Sequence, residues 1–108
     1  MSTTPLKLFL DDEREAPPGW TLCRSVEALR VHLRSTAQIE AMSLDYDMGS
    51  GYETGLHALD WILKEVKSNP SFTPPASIRA HTRSIDMGIE MRRKIGEIHS
   101  AVIERGPR

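Results

Sequence analysis

Apolar positions along this chain fall into short runs and longer periodic stretches, and the two kinds alternate after the first pair of runs. Leu6-Lys7-Leu8-Phe9-Leu10, bounded by Pro5 and Asp11, is too short and too continuous for a surface helix and reads as a buried strand. Trp20-Thr21-Leu22-Cys23 alternates and is rich in strand formers. Ile39 to Leu44 makes a third run, closed by Asp45, and Ala76 to Ala80 a fourth, closed by His81-Thr82. Between them lie helical spacings. Ser25 is a natural N-cap for Val26 to Leu33, whose Val26, Leu29 and Leu33 share a face. Leu56, Leu59, Ile62, Leu63 and Val66 form a second stripe, stopped by Asn69-Pro70. From Ser84 onward Ile85, Ile89, Met91, Ile95, Ile98 and Val102 predict one long or broken helix that ends at Gly106-Pro107. Residues 12–19 carry Pro17-Pro18-Gly19 and predict a loop. Residues 46–55, with three glycines, suit a loop approached by a ligand.

The order strand, loop, strand, helix, strand, helix, strand, helix predicts an α/β fold with a parallel sheet and right-handed crossovers. A length of 108 residues allows one domain, 1–108, with its core between residues 6 and 104. No stretch approaches the roughly 18 apolar residues of a membrane span, so no membrane partner is expected. The start, Met1-Ser2-Thr3-Thr4-Pro5, lacks the pattern of a secretory signal. A lone Cys23 excludes an internal disulfide and a multi-cysteine zinc site, which agrees with a reducing, cytoplasmic setting. A formal net charge of −1 supplies no long-range field toward DNA.

Candidate chemistry sits where the strands stop. Asp11 and Asp12 close the first run and Asp45 the third, and in an open parallel sheet the ligand site lies outside the carboxyl ends of the strands. Clustered carboxylates repel one another unless a proton or cation intervenes, and a hard divalent ion with oxygen ligands is the usual solution. Asp11, Asp12 and Asp45 are therefore expected to hold Mg²⁺ or Mn²⁺ for phosphate chemistry; the alternative is a set of solvated loop acids. Asp47 follows two residues on, and is either a further ligand or a loop acid facing water.

With these motifs the chain resembles the receiver domain of response regulators. In that family the first strand ends in Asp-Asp, matched by Leu10-Asp11-Asp12-Glu13, and the third in a phosphoacceptor Asp with Met three positions on, matched by Asp45-Tyr46-Asp47-Met48. Gly55-Leu56 echoes the Gly-Leu that opens the next helix, and Thr82 stands at the fourth-strand hydroxyl position. Pro17-Pro18-Gly19 replaces the first helix, and the helical spacing of Ile95, Ile98 and Val102 argues against a fifth strand with its phosphate-contacting lysine; Arg105 would substitute only if residues 101–103 were a strand. The chain is similar in these same departures to the cyclic-phosphate processing receivers, known by Asp-Asp-x-Arg-x-Pro, Ser-Leu-Asp-x-Asp-Leu-Gly and His-Ser-x-Asn motifs. Asp11 to Pro17 matches the first with one extra residue, Ser43 to Gly49 matches the second closely, and His81-Thr82-Arg83-Ser84 matches the third in part.

The resemblance implies a compact, flavodoxin-like, receiver-type three-layer fold whose four-stranded parallel sheet runs in the order 2-1-3-4, with the first helix replaced by a loop. It also implies hydrolysis of a cyclic phosphate, on a nucleotide or an RNA end, in which Asp45, His81, Thr82 and Arg14 act. Asp45 would be ligand or nucleophile, Thr82 would donate to a phosphate oxygen, and Arg14 would reach the phosphate or else pair with its neighbouring acids. His81 would be a general acid or base, or a hydrogen-bonded structural histidine. The rival reading is a stand-alone receiver, phosphorylated on Asp45, that regulates a protein partner. His32, His57 and His99, Trp20 and Trp61, and the run Arg92-Arg93-Lys94 read as packing or solvated surface.

Overall fold

The computed structural model describes residues 5–35, 38–49 and 52–106. Strands β1 (Leu6–Leu10), β2 (Thr21–Cys23), β3 (Ile39–Leu44) and β4 (Ser77–Ala80) form one parallel sheet in the order β2-β1-β3-β4, and helices α1 (Val26–Arg34), α2 (Gly55–Ser68) and α3 (Ile85–Arg105) follow β2, β3 and β4. Trp20 stays outside β2, its N–H turned back to the Pro17 carbonyl at 3.1 Å in the Pro-Pro-Gly turn. Ser25 caps α1 by accepting from the Ala28 N–H at 3.1 Å.

Alternation along the strands sorts the sheet into two unlike faces. Leu8, Leu10, Met42, Leu44 and Ile78 point to one side and meet Val26, Leu29 and Leu33 of α1, Ala58, Leu59, Ile62 and Val66 of α2, and Met91, Ile95 and Ile98 of α3 in a single apolar cluster. The crossovers β2 to β3 and β3 to β4 step in the same direction across the sheet, so right-handedness places their helices on the same side. The step from β1 to β2 runs the other way, and its connection is residues 11–20 rather than a helix. The third layer is accordingly thin. On that face Trp20 stands edge-on to Phe9, with ring centroids 6.3 Å apart, and the Lys7 ammonium lies 5.9 Å from the Trp20 ring.

The tail is one helix of 21 residues, capped by the Ser84 hydroxyl, which accepts from the Met87 N–H at 3.2 Å, and it leaves no fifth strand among the described residues. Arg105 lies at its far end, donating to the Phe72 carbonyl at 2.9 Å, and takes no part in the strand-end site. The expected stripe on this helix needs one correction: Ile85 and Ile89 are exposed, and the buried face is Gly88, Met91, Ile95, Ile98 and Ala101. At 3.6 residues per turn Ile85 and Ile89 fall on the far side from Met91, Ile95 and Ile98. Arg93 pairs with Glu90 and Glu97 on this helix's solvated side and Lys94 with Asp60 of α2. No helix among the described residues is long and apolar enough to cross a membrane.

Candidate functional site

The sheet's hydrogen-bond ladder runs one residue past β1, β3 and β4. The Asp11 N–H donates to the Cys23 carbonyl at 3.1 Å, the Asp45 N–H to Leu10 at 3.0 Å and the His81 N–H to Leu44 at 2.9 Å. Asp11, Asp45 and His81 thereby stand in a row across β1, β3 and β4, and one carboxylate oxygen of each aspartate and one ring nitrogen of the histidine all lie within 4.8 Å of one another.

Asp11 is 1 % exposed, and each of its carboxylate oxygens is hydrogen-bonded. Its Oδ1 accepts from the Glu13 N–H at 2.9 Å and the Arg14 N–H at 2.8 Å, an aspartate-led turn that starts the loop. Its Oδ2 lies 3.1 Å from His81 Nε2. The other ring nitrogen, Nδ1, lies 2.6 Å from the hydroxyl of the buried Ser43, and the imidazole stacks flat on Phe9 with centroids 4.2 Å apart. Ser43, His81 and Asp11 form one hydrogen-bonded chain in which the hydroxyl can donate to Nδ1 or accept from it, so the imidazole keeps both partners in either charge state.

The two carboxyls are driven apart electrostatically. Burial pushes Asp11 up, but the Arg14 and Glu13 N–H groups and the His81 ring outweigh it and hold its pKa below the ordinary value. Burial and then the Asp11 charge push Asp45 above its ordinary value, against a smaller pull from His81, the Tyr46 N–H and Arg14. Two acids on adjacent strand ends with opposed shifts mark a place where a cation or a proton is favoured.

Above this row opens a cavity of about 480 Å³. Asp11, Asp12, Arg14, Asp45, Asp47, Thr82 and Arg83 all line it, so the structure brings together seven charged or polar side chains from three strand ends. His81 is not among the lining residues: it meets the cavity through Asp11. Asp12 and Asp47 line the wall but stand outside the three-residue group. The extended conformation that would align Asp47 with Asp45 does not continue, because the Tyr46 carbonyl accepts the Gly55 N–H at 3.3 Å and Asp47 Oδ1 accepts the Gly49 N–H at 3.1 Å. Thr82 Oγ1 accepts from the Ser84 N–H at 3.2 Å and keeps its own hydrogen for a ligand. Among the described lining residues the cations are Arg14 and Arg83, with no lysine.

Sequence reasoning placed Ser43 and Gly55 in motifs and Phe9 in a strand but gave none of them a part in the site. A β-carbon at Gly55 would collide with the Asp45 carbonyl oxygen and stand 2.7 Å from the Met91 methyl, so only glycine lets α2 begin tight against the strand end that presents Asp45. Ser43 and Phe9 share the register Phe9↔Ser43↔Arg79, with His81 two residues on from Arg79, so alternation alone puts them on the His81 face once the register is known. His57, expected as surface, closes the start of α2 by accepting the Thr54 N–H on Nδ1 at 2.9 Å.

A sequence model of the family described as the cyclic-phosphate processing receiver domain matches residues 6–97, a span that takes in all four strands and every residue of the site. No curated protein and no solved structure matches the chain.

Proposed function

Because the chain belongs to the cyclic-phosphate processing receiver domains, we propose that it hydrolyses a cyclic phosphate ester, on a nucleotide or an RNA end, with the aid of Mg²⁺ or Mn²⁺. The observation that carries this reading is the meeting of Asp11, Asp45 and His81 donors within 4.8 Å beneath a cavity that also receives Arg14, Thr82 and Arg83. The donor set fits a divalent cation: two carboxylates supply hard oxygens, the cavity has room for water, and positive charge offsets the burial and the Asp11 charge that raise the Asp45 pKa. Asp11 and Asp45 would hold the ion directly, with Asp12 and Asp47 reaching it through water. A cation there would polarise the phosphoryl group and make bound water more acidic.

The protein's own groups do the rest. Arg14 and Arg83 face the phosphate oxygens with planar donors, and Thr82 gives its free hydroxyl hydrogen to one of them. In the tautomer whose Nδ1–H donates to Ser43, His81 Nε2 takes up the proton of the attacking water and Asp11 Oδ2 stabilises the imidazolium that results. A new P–O bond forms to water, the ring P–O bond breaks, and the departing alkoxide takes back the proton, leaving a phosphate monoester.

The test is turnover of a nucleoside 2′,3′-cyclic phosphate with Mg²⁺ or Mn²⁺, with the monoester resolved by chromatography. Asp45→Asn and His81→Ala are expected to lose at least about 100-fold, the usual scale of a lost acid–base group. Full activity of either variant in the folded state would overturn the assigned roles.

A further inference from the structure

The strand-end cavity has a neighbour of different chemistry. A second cavity of about 510 Å³ shares Asp12 and Gly49 with the first and extends over Val26 and Met48 to Arg24 and Tyr52. Both are within the size range of small-molecule sites. Val26 and Met48 give the second an apolar floor, both being buried, while Tyr52 stands at its rim with 70 % of its surface in water. The second cavity is also rimmed by charged groups, Asp12, Arg24, Glu27 and Glu53, but unlike the strand-end site it sets an exposed aromatic ring over the buried Val26 and Met48.

Gly49 is the saddle between the two. Its φ of +92° suits glycine, and a β-carbon there would lie 3.6 Å from both Asp12 Oδ2 and the Tyr52 ring. With no β-carbon here, bare backbone forms the boundary that the two cavities share. Tyr52 is anchored at its base while its ring stays free: its N–H donates to the Gly49 carbonyl at 3.4 Å, and the next residue, Glu53, is gripped by both terminal nitrogens of Arg30 at 2.7 Å. Arg30 has only 15 % of its side chain exposed, and its pKa is raised by that same hydrogen-bonded pairing. An exposed ring on a fixed stem costs little ordering entropy when a flat ligand stacks on it.

We infer that the second cavity is a base subsite, so that a phosphate seated over Asp45 and Arg14 carries a nucleoside whose base crosses Gly49 and stacks against Tyr52. This inference rests on the phosphate reading of the first cavity and adds to it the ligand's organic half and the residue that holds it. Stacking supplies affinity with little sequence preference, because every base has a π face. The same group occurs on a free nucleotide and on the last residue of an RNA strand.

Binding of products separates these cases without turnover. Inorganic phosphate, adenosine 3′-monophosphate and a short oligoribonucleotide ending in a 3′-phosphate are titrated, with Mg²⁺ present, into the wild type, Tyr52→Ala and Tyr52→Phe. The exposed position of Tyr52 leaves the fold of both variants intact. The nucleotide is expected to bind the wild type at least about tenfold more tightly than inorganic phosphate, and Tyr52→Ala to remove about tenfold from the nucleotide. That variant leaves inorganic phosphate unchanged, and Tyr52→Phe stays near wild type. A loss on the mononucleotide marks a free nucleotide as sufficient ligand, and a loss on the oligonucleotide alone marks an RNA end; either upholds the subsite. Inorganic phosphate binding as tightly as both the nucleotide and the oligonucleotide, or Tyr52→Ala binding both of these like wild type, overturns the base subsite while leaving the phosphate site standing. Failure of all three ligands to bind overturns the phosphate site and the subsite with it.

Discussion

Replacing Asp45 by asparagine should make the metal-free protein more stable, although it removes a residue from the centre of the site. A carboxylate oxygen of Asp45 lies within 4.8 Å of one on Asp11. At that separation two like charges repel by roughly 1 kcal/mol in the dielectric of water and by roughly 3.5 kcal/mol at an effective dielectric of ~20. Asp45 is partly exposed, so the value lies between these limits, about 2 kcal/mol, and the loss of the weaker attractions to His81 and Arg14 trims it further. The sign follows from the pKa direction. The folded-state pKa of Asp45 stands above its ordinary value, so folding is favoured with Asp45 protonated and the penalty grows as pH rises through that pKa. Thermal melts in EDTA at neutral pH should therefore place Asp45→Asn about 5 °C or more above wild type, since 1 kcal/mol shifts the midpoint of a domain this size by roughly 4–8 °C. The gap should close on acidification. Saturating Mg²⁺ should stabilise the wild type by ~2.7 kcal/mol at a hundredfold excess over Kd and the variant by much less, bringing the two together or reversing them. A variant that melts below wild type in EDTA, or that gains as much from Mg²⁺, would refute the reasoning.

Other parts of the structure give shorter tests. Asp11→Asn should weaken the fold at neutral pH, because the Asp11 pKa is held low; the stabilisation is complete above the ordinary carboxylate pKa and is lost as pH falls through the folded value, so wild-type and variant stabilities should converge in acid titrations. Gly55→Ala should cost about 1–3 kcal/mol in urea melts, as the β-carbon must push α2 away from the Asp45 carbonyl; a neutral effect would show that the helix start can shift freely. Cys23, 1 % exposed and with its thiol pushed up to about 11 by burial, should resist alkylation in the native state and react once unfolded. Acetyl phosphate with Mg²⁺ should leave no lasting mass gain on Asp45, since no lysine among the described lining residues stabilises an acyl phosphate; a stable adduct removed by Asp45→Asn would favour a phosphorylated signalling module.

The fold was legible because each element carried its own local signal. Pro17-Pro18-Gly19 forbade a helix between β1 and β2, Ser25 announced a cap that forms as expected, and the stripe Leu59, Ile62 and Val66 marked the buried face of α2. The carboxylates at the ends of β1 and β3 were legible for the same reason, since strand ends converge in a parallel sheet whatever the register. What escaped depends on contacts between distant residues. Ser43 lies 38 positions from His81 and becomes its partner only through the register of β3 with β4, and the stacking of Phe9 on the imidazole needs β1 in place as well. The glycine demand at Gly55 comes from a carbonyl ten residues back. Asp47 shows the converse: alternation with Asp45 was one of two open readings, and the Gly55 N–H to Tyr46 bond turns the chain away from it.

Everything proposed for the site depends on a divalent cation lodging between Asp11 and Asp45, and Mn²⁺ titrated into isotope-labelled protein reports that most directly. Saturable paramagnetic broadening confined to the amides around Asp11, Asp45 and His81, competed by Mg²⁺ and lost in Asp45→Asn, is the predicted result. Broadening spread over the exposed acids of α2 and α3, or none up to millimolar Mn²⁺, would contradict a metal centre at the strand ends and leave the domain a metal-free binding module.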